Sequence, residues 1–176
     1  MLGSVCWQSS ERPQIPMPTI RQEIVIQASC ERCFDLTRSV DFHVASAPKI
    51  AARADGGRRE GLSGDGEFTV WSARFFGVRS SMVTQIEAYV RPTGFRDRMT
   101  TGLLREFQHT YRFQPLDGGA SCAMSDELIM EAPFMFLGRL VERAYLQQRM
   151  ILLVGERLGA IKRAAESDEW RQYLPG

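Results

Sequence analysis

The sequence predicts an α+β fold in which one long C-terminal helix packs on one face of an antiparallel sheet. Three observations carry this. From Leu137 to Ala165 apolar residues recur at Leu140, Ala144, Ile151, Val154, Leu158, Ile161 and Ala165, in steps of three or four apart from one gap at Gln147, which is one face of a helix. Between Glu67 and Glu131 the chain runs instead through β-branched and aromatic stretches separated by turn residues, with no competing helical repeat. Ahead of these, a lone strand-like segment is followed by two short helical ones, so the order is strand, two helices, about six antiparallel strands, helix.

Taken in order, residues 1–18 hold Pro13, Pro16 and Pro18 among polar neighbours and are expected to form a flexible tail. Ile20 to Ile26 reads as the first strand, and Ser29 stands as an N-cap before a helix over Cys30 to Thr37. A second short helix is expected over Val40 to Ser46, closed by Pro48. Lys49 to Gly66 starts as a strand and passes into Asp55-Gly56-Gly57 and the Gly61 to Gly66 stretch, so it is expected to be turn-rich. Strands follow over Glu67 to Phe76, Val78 to Val90, Phe95 to Thr101, Arg105 to Gln114 and Ala120 to Glu131. The long helix from Leu137 to Ala165 would run about 43 Å at ~1.5 Å per residue. Before it, Ala132 to Gly138 is apolar yet broken by Pro and Gly, a hydrophobic lip.

Composition bounds the function. A chain of 176 residues, 44% hydrophobic and 24% charged, buries a core without disulfides. The domain is expected over residues 19–166, with tails at 1–18 and 167–176. A net charge of +1 from 22 basic and 21 acidic residues advertises neither nucleic acid nor an anionic membrane. Lacking a spanning hydrophobic run or a signal-like N-terminus, the protein is expected in the cytoplasm. Cys30-Glu31-Arg32-Cys33 forms a C-x-x-C pair, but no second close pair supplies further zinc ligands. Two thiols buried on an ordinary short helix is the better reading, and no metal or cofactor is expected.

The strands carry a polar line on their covered face. Along Arg105 to Gln114 the odd positions are Phe107, His109, Tyr111 and Phe113, and the even ones are polar. In the next strand Cys122, Met124, Asp126, Leu128 and Met130 are the covered set, and in the one before, Phe95, Met99 and Thr101 share a face with Asp97. Hairpin symmetry about Leu103 places Asp97 across from His109. Symmetry about Leu116-Asp117-Gly118-Gly119 places His109 across from Asp126, a line of three titratable groups about 5 Å apart at Cβ. Such a line can brace strand register, anchor the polar group of a ligand at a cavity floor, or serve as general acid and base.

The order of elements, together with Glu23-Ile24-Val25-Ile26-Gln27-Ala28-Ser29, Trp71 with Arg74-Phe75-Phe76-Gly77, Pro92 with Phe95-Arg96-Asp97, His109, Phe113, Asp126, Pro133 and Leu137-Gly138, resembles the START-like, or Bet v 1-like, helix-grip superfamily. Within it the chain is most similar to the polyketide cyclase/dehydrase and lipid-transport group, in its small bacterial ligand-binding branch. The resemblance covers residues 20 to about 165. Tyr111 stands where those relatives tend to have a second histidine, Cys122 where they favour threonine, and Met99 where they favour glutamine. What the resemblance implies is a curved sheet of about seven strands gripping the terminal helix, with an apolar cavity between them.

The expected function is binding of a hydrophobic small molecule such as a lipid, isoprenoid, quinone or polyketide-like aromatic. Trp71, Phe95, Asp97, Met99, Phe107, His109, Tyr111, Met124, Asp126, Phe134, Leu140 and Ile151 are the candidate ligand-binding residues, and Ala132 to Leu137 with Asp55 to Gly66 the expected entrance. The alternative is a cyclase or dehydratase using His109 as acid or base, oriented by Asp97 or Asp126. A homodimer is compatible with the sequence; nucleic acid is not an expected partner.

Overall fold

The computed structural model describes residues 19–75, 78–131 and 139–175, with side chains for all of these except 75, 78 and 139–144. The expected tail at 1–18 and the lip at 132–138 lie outside the described residues. Seven strands form one antiparallel sheet: β1 (Thr19–Ile26), β2 (Arg53–Gly57), β3 (Phe68–Phe75), β4 (Val78–Val90), β5 (Gly94–Thr101), β6 (Glu106–Leu116) and β7 (Ser121–Glu131). Their order across the sheet is β1-β7-β6-β5-β4-β3-β2, so the chain leaves one edge after β1 and re-enters at the opposite edge. Helices α1 (Cys30–Arg38) and α2 (Val40–Ser46) make that crossing, and α3 (Arg139–Glu166) packs along the same face.

Local chemistry sets the helix ends. Ser29 Oγ accepts from the Arg32 amide at 3.3 Å and Ser39 Oγ from the Phe42 amide at 3.3 Å. Ser39 both ends α1 and starts α2, which turns the chain sharply. On α3 the buried stripe is Met150, Val154, Leu158, Ile161, Ala164 and Ala165, and its 28 residues span about 42 Å. Gly155 sits where Gln22 of β1 reaches over to donate to the Ile151 carbonyl at 2.7 Å; a Cβ there would come within 3.1 Å of the Gln22 side chain. Gly159 meets nothing closer than an ordinary contact with Arg163.

Two expectations are corrected. First, Asp55 and its glycines belong to β2 rather than to a turn: the register shifts between Ala54 and Gly56, making Asp55 the extra residue of a bulge. Gly57 is required there, since at φ 65° a Cβ would stand 2.2 Å from the Phe68 carbonyl oxygen. Second, the β6–β7 turn is centred one residue later than hairpin symmetry predicts. Asp117, Gly118 and Gly119 all take positive φ, Ser121 Oγ donates to the Asp117 carboxylate, and Leu116 pairs with Ser121. Asp126 therefore lies opposite Tyr111, and His109 opposite Leu128, whereas Asp97 does lie opposite His109. A displacement of two keeps Asp126 on the same face, diagonal to His109.

Residues 168–175 pack back against α1 and α2. A 3-10 turn over Glu169–Gln172 puts Trp170 under the Arg32 guanidinium at 4.5 Å, and Tyr173 meets Phe42 edge-on at 5.1 Å. The thiols of Cys30, Cys33 and Cys122 are buried between α1 and β7. Burial pushes the Cys30 thiol up to about 12, which keeps it an inert core group. Among the described residues no cluster of metal-ligating side chains occurs, and no helix is long and apolar enough to cross a membrane.

Candidate functional site

The space between sheet and α3 is filled at one end and hollow at the other. Under α1, Phe34 fills it, edge-on to Tyr89, Phe95 and Phe113 at 5.3–5.5 Å. Under α2, a cavity of about 520 Å³ remains, a size suited to a small organic molecule. Its sheet wall is Trp71 and Ala73 from β3, Met82 and Thr84 from β4, Asp97 from β5, and Phe107, His109 and Tyr111 from β6. Strand alternation delivers these side chains to one face. The helix wall is Met150, Leu153, Val154, Arg157 and Ala160, with Phe42 and His43 of α2 and Tyr173 closing the remaining sides. The exposed lining residues Ala45, Pro48, Lys49, Glu156, Arg163 and Glu169 mark the opening, between α2 and the second half of α3.

The polar groups form two sets. In the first, His109 Nδ1 and Asp126 Oδ1 are 3.0 Å apart, with Asp126 completely buried behind the wall. The His109 ring stacks on Tyr111 (5.5 Å, 12°) and meets Phe107 edge-on, so both its orientation and its hydrogen-bond partner are fixed. In the second, Arg157 of α3 donates from Nη2 to the Thr37 carbonyl at 2.9 Å and from Nη1 to His43 Nδ1. Burial, reinforced by the Arg157 charge, holds His43 well below its ordinary range, so its neutral ring can accept that bond. His43 in turn lies against Trp71 at 4.4 Å, and Trp71 Nε1 donates to Thr84 Oγ1 at 3.0 Å.

Asp97 stands between the sets. Burial raises its carboxyl above the ordinary value, the Thr84 hydroxyl working the other way. Burial also pushes the Tyr111 phenol up, the nearby Asp126 adding to it, so that phenol stays a hydrogen-bond donor. Among the described residues, Asp97 Oδ1, Asp126 Oδ2 and Arg157 Nε are buried atoms with no hydrogen-bond partner.

Of the residues singled out from sequence, Trp71, Asp97, Phe107, His109 and Tyr111 meet on this cavity. Asp126 supports His109 from behind. Phe95 and Met124 belong to the packed core at 3% and 1% exposure, and Met99, its sulfur against Gly102, is not among the residues that line the cavity. Ile151 is corrected outright: it points outward at 41% exposure, because it lies a quarter-turn from the Met150–Val154 stripe. Phe134 lies outside the described residues, as does the side chain of Leu140 on α3. The Asp55 to Gly66 stretch is not part of the cavity lining. Sequence reasoning missed His43, Thr84 and Arg157. The spacing of Arg157, three after Val154 and four before Ile161, was the available signal that a charge sat on the buried stripe.

No protein-family model matches the sequence, and no curated protein matches it. Solved structures do. A protein from Thermus thermophilus superposes with TM-score 0.69 at 18% identity, over 84% of this chain and 97% of that one. A START superfamily protein from Mycobacterium smegmatis gives TM-score 0.58 at 15% identity over 88% and 97% of the two chains. The Zhui aromatase/cyclase of a Streptomyces species gives 0.60 at 11% identity over 86% and 94%. The fold is thus the START, or Bet v 1-like, helix-grip fold, as the sequence resemblance implied.

Proposed function

We propose that this protein binds a hydrophobic small molecule, of lipid, isoprenoid, quinone or polyketide-like character, in the cavity between the sheet and α3. The observation that supports this most is the cavity itself. In a fold whose other half is close-packed, about 520 Å³ is left between apolar walls, with polar groups gathered rather than scattered. Fold likeness to a START superfamily protein and to an aromatase/cyclase is compatible with the reading. On this view the protein acts in the cytoplasm and needs no nucleic-acid partner, in keeping with its near-neutral charge.

Native mass spectrometry of the purified protein, combined with titration by the neutral fluorophore N-phenyl-1-naphthylamine, tests it. The expected result is a co-purifying small molecule or saturable fluorescence enhancement at one probe per chain. Absence of both would remove the reading.

A second reading is favoured by one feature, the buried His109–Asp126 pair with His109 on the cavity wall. A histidine so oriented is equipped for general acid or base work in a cyclase or dehydratase reaction. An enzyme would show a bell-shaped rate profile that disappears in His109→Ala, whereas a carrier would lose only affinity in that variant.

A further inference from the structure

We propose that the ligand carries a carboxylate, and that Arg157 is its docking point. The inference rests on the hydrophobic-cavity reading above and narrows it to amphiphiles with an acidic end.

Arg157 carries a charge that the described part of the chain leaves unmet. Arg157 lies on the cavity-facing side of α3, and its hydrogen bonds to the Thr37 carbonyl and His43 Nδ1 go to neutral acceptors. Among the described residues no carboxylate lies within ion-pair distance of it, and its Nε is buried with no partner. A guanidinium in a low-dielectric wall is stabilised by a planar two-oxygen anion, and Arg forks match a carboxylate in geometry. The neighbouring Tyr111 is a donor too. Burial raises the carboxyl of Asp97, whose Oδ1 is also unpartnered, against the opposing pull of Thr84, His109 and Arg157, and Tyr111 keeps its phenolic proton. This end of the cavity therefore presents the Arg157 fork and the Tyr111 hydroxyl to a molecule whose remainder lies among Met150, Leu153, Val154 and Phe107. Decanoate and decan-1-ol differ in the acidic end alone and so isolate that contribution.

The test is competition of each compound against N-phenyl-1-naphthylamine at neutral pH. Wild-type protein is expected to favour decanoate over decan-1-ol by about tenfold or more, the size of a charge-assisted hydrogen-bonded contact. In Arg157→Gln the ratio is expected to fall to about one while the fluorophore still binds. Equal affinities in the wild type would overturn the inference and leave the cavity reading standing; Arg157 would then be satisfied by water in the adjoining void of about 20 Å³. A wild-type preference that persists unchanged in Arg157→Gln would also overturn it. Failure of the fluorophore to bind at all would instead sink the underlying reading. Should Arg157→Gln unfold through loss of its bonds to Thr37 and His43, Arg157→Lys retains a point charge without the fork. Its ratio is expected to lie between one and the wild-type value, and a ratio at or above wild type would overturn the role of the fork.

Discussion

The two ends of the sheet and helix layer are built from the same elements and differ in what they enclose. Under α1, every inward position is large or tightly matched: Phe34, Phe113, Met124, Ile26 and Leu36 have at most 4% exposure. Under α2, a helix of seven residues supplies Phe42 and His43 with the small Ala45 and Ser46, and the facing walls include the small residues Ala73, Thr84 and Ala160, which do not fill the gap. The polar side chains follow the same division, with Asp97, His109, Tyr111, His43 and Arg157 all at the hollow end. Stability and ligand recognition are thus lodged in different halves of one core, and substitutions in each half should have separable effects.

The largest effect is expected at the filled end. Phe34→Ala removes a ring in contact with three others and should destabilise the protein by about 3–5 kcal/mol in urea unfolding. A loss under ~1 kcal/mol would mean that this half is not the packed anchor it is taken to be. A smaller effect, of a different kind, is expected at the hollow end. Ala160→Leu on α3 adds volume into the cavity at little helical penalty, so stability should stay within about 1 kcal/mol while affinity for N-phenyl-1-naphthylamine falls about tenfold. If instead Ala160→Leu unfolds the protein as Phe34→Ala should, the two ends are not distinct.

How much of this was legible in the sequence divides along the same line. Strands β3 to β7, the Ser29 cap and the span of α3 follow from local periodicity and turn chemistry, which act within a few residues. So does Asp97 across from His109, because the β5–β6 hairpin is symmetric about Leu103. The β6–β7 register was missed by two positions, since it depends on three consecutive positive-φ residues from Asp117 to Gly119 that shift the turn. His43 and Arg157 were missed for a different reason. They are 114 residues apart in sequence, and only the packing of α2 against α3 brings them together. Periodicity finds the apolar stripe of a helix but treats a charge beside it as a solvated flank. The Trp170 and Tyr173 contacts, likewise, exist only once α1 and α2 are in place to receive them.

The smallest effect concerns Asp97 and reads the polarity of the hollow end directly. Its carboxyl is raised above the unfolded value of 3.8 chiefly by burial. Below that value the group is protonated in both states and contributes no difference. As pH rises past it the unfolded chain ionises first, so the native state binds more protons and stability falls until the native carboxyl also ionises. Asp97→Asn keeps the shape and abolishes this titration. The variant's melting temperature, relative to wild type, should therefore rise as pH climbs past 3.8 and level off once the native carboxyl has ionised. Other carboxylates do not interfere, because Asp35, Glu67 and Glu166, all lowered in the folded state, are present in both proteins and cancel in the difference. A difference that falls with pH over the same range would mean that Asp97 is held as a carboxylate by Arg157 and His109. The positive charge of the hollow end would then be met from within the chain, and the separation between a packed half and an unmet polar half would fail at its most sensitive point.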